Sequence, residues 1–222
     1  MSAKDYMVVG IDNGLDIYKR CLELAENSDC EKMKFGSIIL AFECWWAAVP
    51  ETDAAAVYGE GYNHKVSDVL KNFNCCELRK SIPSGMRTEF CGAIHAETMA
   101  LQEALANGAK LSECVLYVAG LNGDESFFDN SKGFYCLPCA KELYHAGIKK
   151  IALASADTPK TGKWVYVTIE EALRQSLEFT KGTKIVGEEE SIVKQASKIV
   201  ATWSDSKRVA WEQRTGLKLA VK

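Results

Sequence analysis

The stretch CGAIHAETMA, residues 91–100, decides how this chain is organised, together with a second stretch, CLPC, further along. The first stretch contains His95 and, two residues later, Glu97; the second contributes Cys136 and Cys139. Histidine and cysteine are common zinc ligands, and a site with three protein ligands keeps one coordination position open for chemistry. We therefore predict that His95, Cys136 and Cys139 bind one zinc ion. Glu97 is expected beside the metal, not bound to it.

Both ligand groups are predicted to lie at the beginnings of helices. The good helix formers of residues 96–106 follow His95 directly, which predicts a helix starting there. A second helix is predicted from Cys136 to about His145, with Gly147 ending it. The positive end of a helix dipole favours thiolates and carboxylates, so both positions suit a metal site.

The chemistry that needs these residue types is the replacement of an amine on an aromatic ring by oxygen. Zinc with an open position lowers the pKa of a bound water to about 7. Glu97 would take a proton from that water and deliver it to the ring nitrogen and the departing amine. The spacing H-x-E…P-C-x-x-C is typical of zinc deaminases, although Tyr135 occupies the proline position and Pro138 lies between the cysteines. Alone, the cysteine pair is also compatible with a redox pair or a structural zinc knuckle.

The composition predicts one globular domain with an appendage. The chain has 222 residues, 47% of them hydrophobic, and a net charge of −3. This charge argues against a partner bound through nucleic-acid phosphates. Nine cysteines without a recognisable signal peptide predict reduced thiols in a cytoplasmic protein, and the absence of an apolar run of about 18 residues predicts no membrane span.

The order of the predicted elements indicates an α/β fold. A helix is predicted from Asp12 or Asn13 to about Asn27, followed by a hairpin of residues 35–42 and 57–63. Three further strands are predicted at residues 115–119, 149–154 and 165–167. Thr168 and Glu171 form a capping-box pattern that opens a helix to about Phe179. The strand–helix alternation after Val115 predicts an α/β sandwich with parallel strands beside the site.

The C-terminal part has a different character. We divide the chain into a zinc-dependent deaminase domain, residues 1–180, and a C-terminal helical extension, residues 181–222. The extension has an apolar stripe at helical spacing, formed by Ile192, Val193, Ala196, Ile199, Val200 and Trp203. The stripe is compatible with packing on the domain and with a subunit contact.

Several motifs resemble the deoxycytidylate (dCMP) deaminases of the cytidine deaminase superfamily, over roughly residues 12–155. The segment SDCEKMKFG, residues 28–36, resembles the family pattern S-x-C-x-R-x-x-V-G, with Lys32 in place of arginine. Further similar segments are GYN (61–63), CELR (76–79), IPSG (82–85), EFC (89–91) leading into HAE, CAK (139–141) and AGIKK (146–150).

The resemblance implies a three-layer, cytidine-deaminase-like sandwich with a five-stranded mixed sheet flanked by helices. It implies Zn²⁺ as the cofactor, Glu97 as the proton shuttle, and conversion of dCMP to dUMP plus ammonia. Asn63 would hydrogen-bond the sugar or base, Ser28 and Lys32 are candidates for the phosphate end of the substrate, and Ala96 is a further candidate substrate contact. Many members of the family are homo-oligomers, from dimer to hexamer, and some are regulated by nucleoside triphosphates.

The chain also departs from the family pattern. Met99 stands where the family usually has asparagine, Tyr135 replaces proline, and the loop of residues 43–56 is longer than expected. Because Met99 and this loop are candidates for lining the pocket, an alternative is a deaminase of another small aminated base, nucleoside or heterocycle.

Three more alternatives remain open at this stage. A nucleic-acid-editing deaminase is disfavoured because no basic, aromatic-rich face is evident. A non-catalytic zinc-fold binding protein is disfavoured by the intact Glu97. A second, structural zinc would draw on ligands from the remaining candidates, which are Cys30, His64, Cys75, Cys76 and Cys91, although irregularly spaced cysteines are more often buried small hydrophobes.

Overall fold

The computed structural model describes residues 8–9, 14–42, 55–66 and 91–182. The chain divides into two compact units, Met1–Thr180 and Lys181–Lys222. In the part of the chain described, no helix is long and apolar enough to cross a membrane. The predicted helix cap at Asp12 or Asn13, the loop up to Ala54, Cys75, Cys76 and nearly all of the predicted extension lie outside these ranges. The assignment of a deaminase domain and a helical extension stays a prediction.

The longer helices and strands follow one another in the order that the sequence pattern predicts. The described elements are β1 (Val8–Val9), α1 (Gly14–Glu26), β2 (Met33–Phe42), β3 (Ala55–Tyr62), β4 (His64–Lys65), β5 (Ala93–Ile94), α2 (Ala96–Ala106), β6 (Cys114–Asn122), α3 (Leu137–Ala146), β7 (Lys150–Ala154), α4 (Thr158–Thr161), β8 (Trp164–Thr168) and α5 (Ile169–Gly182). Of these, β4, β5 and α4 are additional short elements. The small strands β4 and β5 pair with each other in a separate two-stranded sheet.

The main sheet has the strand order β1-β3-β2-β6-β7-β8. The predicted mixed, five-stranded sheet is confirmed in its five longer strands, and the two-residue β1 adds a short edge to it. β6 and β7 are parallel, and every other neighbouring pair is antiparallel. The expectation of parallel strands is therefore wrong for β8. Its connection from β7 contains only the single turn of α4, whereas a parallel crossover needs a dozen residues or more.

Helices cover both faces of the sheet, so the central strands are apolar on both sides. One face carries Ile39, Leu116, Val118, Ile151 and Leu153, which pack with α2, α3 and α5. The other face carries Ile38, Leu40, Tyr117, Ala119 and Ala152, which pack with α1. This alternation along each strand produces a sandwich of three layers, as the resemblance implied.

The helix ends agree with the sequence signals. His95 and Cys136 are the N-cap residues of α2 and α3, and Gly147 ends α3 in the left-handed conformation at φ 96°. Half of the predicted capping box forms at α5, where the backbone N–H of Glu171 donates to the hydroxyl of Thr168 at 3.2 Å. The carboxylate of Glu171 binds side chains of α5 itself.

Helix α2, which carries the site residues, lies directly against the backbone of β3. A methyl group added at Gly59 would be 2.1 Å from the carbonyl oxygen of Ala100, and one at Gly61 would be 2.3 Å from that of Ala96. Only glycine permits such a close approach of strand and helix. The two glycines therefore fix how near α2 lies to the sheet.

We predict that Gly59→Ala destabilises the protein, because the added methyl meets backbone that a rotamer change cannot move. The free energy of unfolding in urea should fall by about 1–3 kcal/mol, the usual range for overpacking. Leu105→Ala, on the exposed side of helix α2, is the matched control. It should change the free energy of unfolding by less than about 0.5 kcal/mol. Wild-type stability in Gly59→Ala would contradict the close-packing interpretation.

Candidate zinc site and substrate cavity

His95, Cys136 and Cys139 converge on one point. The Nδ1 atom of His95 lies 3.2 Å from Sγ of Cys136 and 3.1 Å from Sγ of Cys139. The two sulfurs are 2.8 Å apart, longer than a disulfide bond of about 2.05 Å, and both cysteines are free. Within the described ranges, this is the one group of three such side chains placed to hold a metal ion.

The fold brings these three residues together from two helix starts. His95 precedes the first turn of α2, Cys136 precedes that of α3, and Cys139 lies within it. Both helices therefore direct the positive ends of their dipoles toward the same point, where thiolate charge is favoured. One nitrogen and two sulfurs form a donor set of the kind that binds zinc with one position left open. The residues present fit this metal.

Of the three ligands, only Cys136 is shifted toward its metal-binding ionised form, whereas His95 and Cys139 are shifted toward their protonated forms. The hydrogen bond with Cys139 lowers the pKa of the Cys136 thiol to about 5, against the effect of burial and with the help of His95. The same pairing raises the pKa of Cys139. Burial lowers the pKa of His95, but hydrogen bonds to Cys136 and Cys91 outweigh burial and raise it to about 11. Zinc binding to these groups therefore releases protons.

Glu97 lies in the first turn of α2 and is buried, with 8% of its surface exposed. Burial and, to a smaller extent, the Cys136 thiolate together raise the pKa of this carboxyl to about 7, although His95 opposes the change. A group with a pKa near neutrality both accepts and releases a proton readily at working pH. The side chain is thus suited to proton transfer beside the metal.

A cavity of about 240 Å³ opens onto His95, Glu97 and Cys136. Cys139 is not among its lining residues and is only 2% exposed, so it lies behind the other ligands. Of the predicted substrate contacts, Ala96, Lys32 and Asn63 line the cavity. The structure therefore brings these three to the candidate zinc site, and their contact with a substrate stays a prediction.

Asn63 has a structural role that the sequence did not reveal. Its Oδ1 accepts the backbone N–H of Phe35 at 2.6 Å, and its Nδ2 donates to the carbonyl of Met33 at 2.7 Å. These bonds tie the end of β3 to the start of β2, next to Lys32. An amide side chain has two donors and two acceptor sites, so one of each is left for a ligand.

Ser28 and Met99 do not line the cavity. Ser28 is buried, and its hydroxyl accepts the backbone N–H of Cys30 at 3.2 Å; Cys30 is the residue that faces the cavity. Met99 lies toward β3, where its Cβ is 2.9 Å from a methyl built on Gly61. The suggestion that Met99 lines the pocket is not supported, because Met99 packs toward Gly61 of β3 and is absent from the cavity lining.

Most of one cavity wall comes from a loop to which the sequence analysis assigned no role. Phe128, Asp129, Asn130 and Tyr135 belong to the loop between β6 and α3 and face the cavity. The loop is held by backbone hydrogen bonds, including one from Asn130 N–H to the carbonyl of Ala154 at 3.0 Å. The position of this loop directly before Cys136 was the one sequence feature that could have indicated its place in the cavity wall. Hydrogen bonds from Ser131 lower the pKa of Asp129, so the cavity holds a carboxylate.

A second metal site is not formed by the described candidates. Cys30 and Cys91 both line the cavity and form no disulfide, but neither belongs to a further group of three possible ligands among the described residues. Cys75 and Cys76 lie outside those residues, so a structural zinc that uses them stays a prediction.

The family model described as "Cytidine and deoxycytidylate deaminase zinc-binding region" matches residues 13–155. The chain belongs to this family. The matched span includes His95, Glu97 and both cysteines, and the donor set of the site agrees with it, so the cofactor is Zn²⁺. No curated protein matches the chain.

Two matching solved structures are crystal structures of dCMP deaminase from the cyanophage S-TIM5. The apo form is 20% identical, with 62% of this chain and 79% of the other covered and a TM-score of 0.35. The complex with dCMP and dUMP is 19% identical, with 61% and 76% covered and a TM-score of 0.34. At these values the likeness does not bear on the substrate of this chain.

We predict that Cys139→Ala lowers bound zinc from one ion per chain to well below stoichiometric, because only two of the three ligands remain. Elemental analysis of the purified protein measures this. Cys114→Ala is the matched control, since Cys114 is equally buried but lies away from the site on β6. A Cys139→Ala protein with a full zinc ion would remove Cys139 from the ligand set.

Proposed function

We propose that the protein catalyses the hydrolytic deamination of a cytosine nucleotide, converting dCMP to dUMP and ammonia. The observation that carries the proposal is the buried Glu97 carboxyl, with its pKa raised to about 7, at the cavity end where His95, Cys136 and Cys139 meet. A redox pair or a structural zinc knuckle has no use for such a carboxyl. Membership of the deaminase family supports the same reaction class.

The reaction consumes one water molecule, and its protons have to be carried. Bound zinc would supply the acidity that makes this water nucleophilic at neutral pH. Glu97 takes the protons that the water loses and passes one to ring nitrogen N3 and the other to the departing amine. The water oxygen replaces the amine on the ring carbon, and Glu97 ends in the state in which it began.

The other cavity residues would orient the base and exclude water. Val118, Phe134 and Leu153 give the inner cavity an apolar lining, which suits a flat ring. We assign the spare amide donor and acceptor of Asn63 to the sugar or base. Ala96 would contact the ring closely, since it has no side chain beyond Cβ and is fully buried between His95 and Glu97.

Lys32 supports a monophosphate as the substrate. It lies one residue before β2, is partly buried and lines the cavity. Charge-assisted hydrogen bonds to phosphate are stronger than those between neutral groups, so a lysine at this wall favours dCMP over deoxycytidine.

One observation favours a second candidate substrate class. The ionised Asp129 carboxylate lines the same cavity as Lys32 and would repel a phosphate placed near it. A neutral aminated base, nucleoside or heterocycle with a hydrogen-bond donor would suit Asp129 better. The homo-oligomeric state and the cytoplasmic location stay predictions from the sequence.

We predict that Glu97→Gln retains zinc but loses turnover by 10²–10⁴-fold or more, because general acid–base catalysis is typically worth that much and one residue serves two proton transfers here. Release of ammonia and zinc content are measured on the same samples. Glu103→Gln, on the same helix and away from the cavity lining, is the control. A Glu97→Gln enzyme with a tenth of wild-type kcat would mean that another group carries the protons.

Lys32→Ala is predicted to lower kcat/KM for dCMP by roughly 10- to 150-fold, the equivalent of the 1.5–3 kcal/mol of a hydrogen bond to a charged group. The same variant should leave deoxycytidine turnover nearly unchanged, because both substrates share zinc and Glu97. Lys34→Ala is the matched control; this lysine is two residues away, pairs with Glu125 at 3.5 Å and does not line the cavity.

Two outcomes would contradict the phosphate assignment. One is a wild-type protein that deaminates deoxycytidine as well as dCMP, and the other is equal losses for both substrates in Lys32→Ala. Either result would favour the neutral substrate class that Asp129 suits.

A further inference from the structure

Helix α5 forms hydrogen bonds with both backbone polar groups of Phe134, the residue two positions before the zinc ligand Cys136. The N–H of Phe134 donates to Oε1 of Gln175 at 3.1 Å. The carbonyl of Phe134 accepts the hydroxyl of Ser176 at 2.8 Å. Phe134 is 4% exposed and Ser176 is fully buried, so the Ser176 bond is shielded from water, and the Gln175 bond is partly shielded. Two neighbouring residues of α5 thus fix both polar groups of one peptide residue.

The acceptor on Gln175 is itself oriented. Its Nε2 donates to Oε1 of Glu171 at 2.8 Å, and Glu171 is held in turn by Arg174. These contacts leave Oε1 of Gln175 directed at Phe134. A side chain at Gly133 would come within 2.9 Å of the same Oε1, and Gly133 has a φ of 147° that favours glycine.

A ring contact fixes the next residue. Tyr135 stacks on Phe179 of α5, with ring centroids 4.5 Å apart and planes 26° from parallel. The phenol of Tyr135 donates to the carbonyl of Lys132 at 2.7 Å, which ties the ring back to its own loop. Both rings line the cavity. Helix α5 therefore contacts Phe134 and Tyr135, the two residues directly before the zinc ligand Cys136.

Tyr135 occupies the proline position of the signature H-x-E…P-C-x-x-C. Proline fixes its own φ angle and so stiffens the backbone just before the first cysteine. Tyrosine supplies no such restriction. In this chain, contacts from α5 constrain the same segment. Helix α5, Ile169–Gly182, lies after the residues that match the family, 13–155.

We propose that α5 is a positioning element for the zinc site, with Gln175, Ser176 and Phe179 holding the segment that presents Cys136. The proposal rests on the zinc site of the proposed function. None of the three is a metal ligand, and they act through the backbone of Phe134 and the ring of Tyr135. Partners that orient metal ligands from outside the coordination shell typically change metal affinity by 10–100-fold when removed.

Zinc affinity, measured by competition with a chromophoric chelator, tests the proposal without reference to turnover. Gln175→Met keeps the side-chain length but removes the acceptor, and Ser176→Ala removes the buried hydroxyl. Each should weaken zinc binding by roughly 10- to 100-fold. Phe179→Leu keeps an apolar side chain but removes the ring stack. It should weaken zinc binding by roughly 2- to 12-fold, which corresponds to the energy of one aromatic pair. Glu170→Gln, an exposed position on the same helix, is the matched control and should bind like wild type.

A second readout separates positioning from general stability. Cobalt-substituted protein should show a shifted thiolate-to-cobalt absorption band in Gln175→Met and Ser176→Ala, because the sulfur of Cys136 is presented differently. If these variants unfold at a lower Tm but bind zinc and absorb as the control does, α5 is only a packing element and the proposal is overturned.

Failure of the proposed deaminase function can be distinguished from failure of the role of α5. A wild-type protein that binds no zinc would overturn both, whereas a wild-type protein that binds zinc and deaminates, with variants equal to Glu170→Gln, would overturn only the role of α5.

Discussion

The parallel pairing of β6 with β7 is the constraint on which the site depends. Parallel neighbours need a crossover on one face of the sheet, and here the crossover contains α3. The start of α3 must then lie at the end of the sheet where β6 finishes, so Cys136 and Cys139 are delivered there. α2 reaches the same end because Gly59 and Gly61 let it lie directly on β3. The convergence of the three ligands therefore depends on the parallel direction of β6 and β7 and on the close approach of α2 to Gly59 and Gly61.

Electrostatics in the cavity follow from this arrangement. Two helix N-termini and the thiol pair lie together with Glu97 in a buried space, where the same surroundings raise the pKa of Glu97 and lower that of Cys136. Lys32 and Asp129, which carry opposite charges, line the same cavity. In the proposed function, Glu97 serves proton transfer, and Lys32 and Asp129 distinguish charged from neutral ligands.

The sequence alone predicted the parts of the site that depend on local structure. His95, Glu97 and the cysteine pair each lie at or near the start of a helix. The start of a helix can be predicted from a few neighbouring residues. Asn63 also faces the cavity, but its bonds to the backbone of β2 involve residues 28 and 30 positions away and were not foreseeable. The antiparallel direction of β8 depends on the length of one connection. The contribution of Phe179 depends on how a helix after the last strand folds back, which no local pattern reveals.

The two cysteines differ in burial, so the metal site has one thiol that is accessible from the cavity and one that is not. Cys136 faces the cavity, whereas Cys139 lies behind it, against the core. An oxidant or a chelator that enters by the cavity therefore meets Cys136 and the open side of the site first, while the second thiol is shielded by protein. A ligand seated in the cavity closes that approach. A substrate bound there, as the proposed function has it, would therefore also protect Cys136 from such reagents.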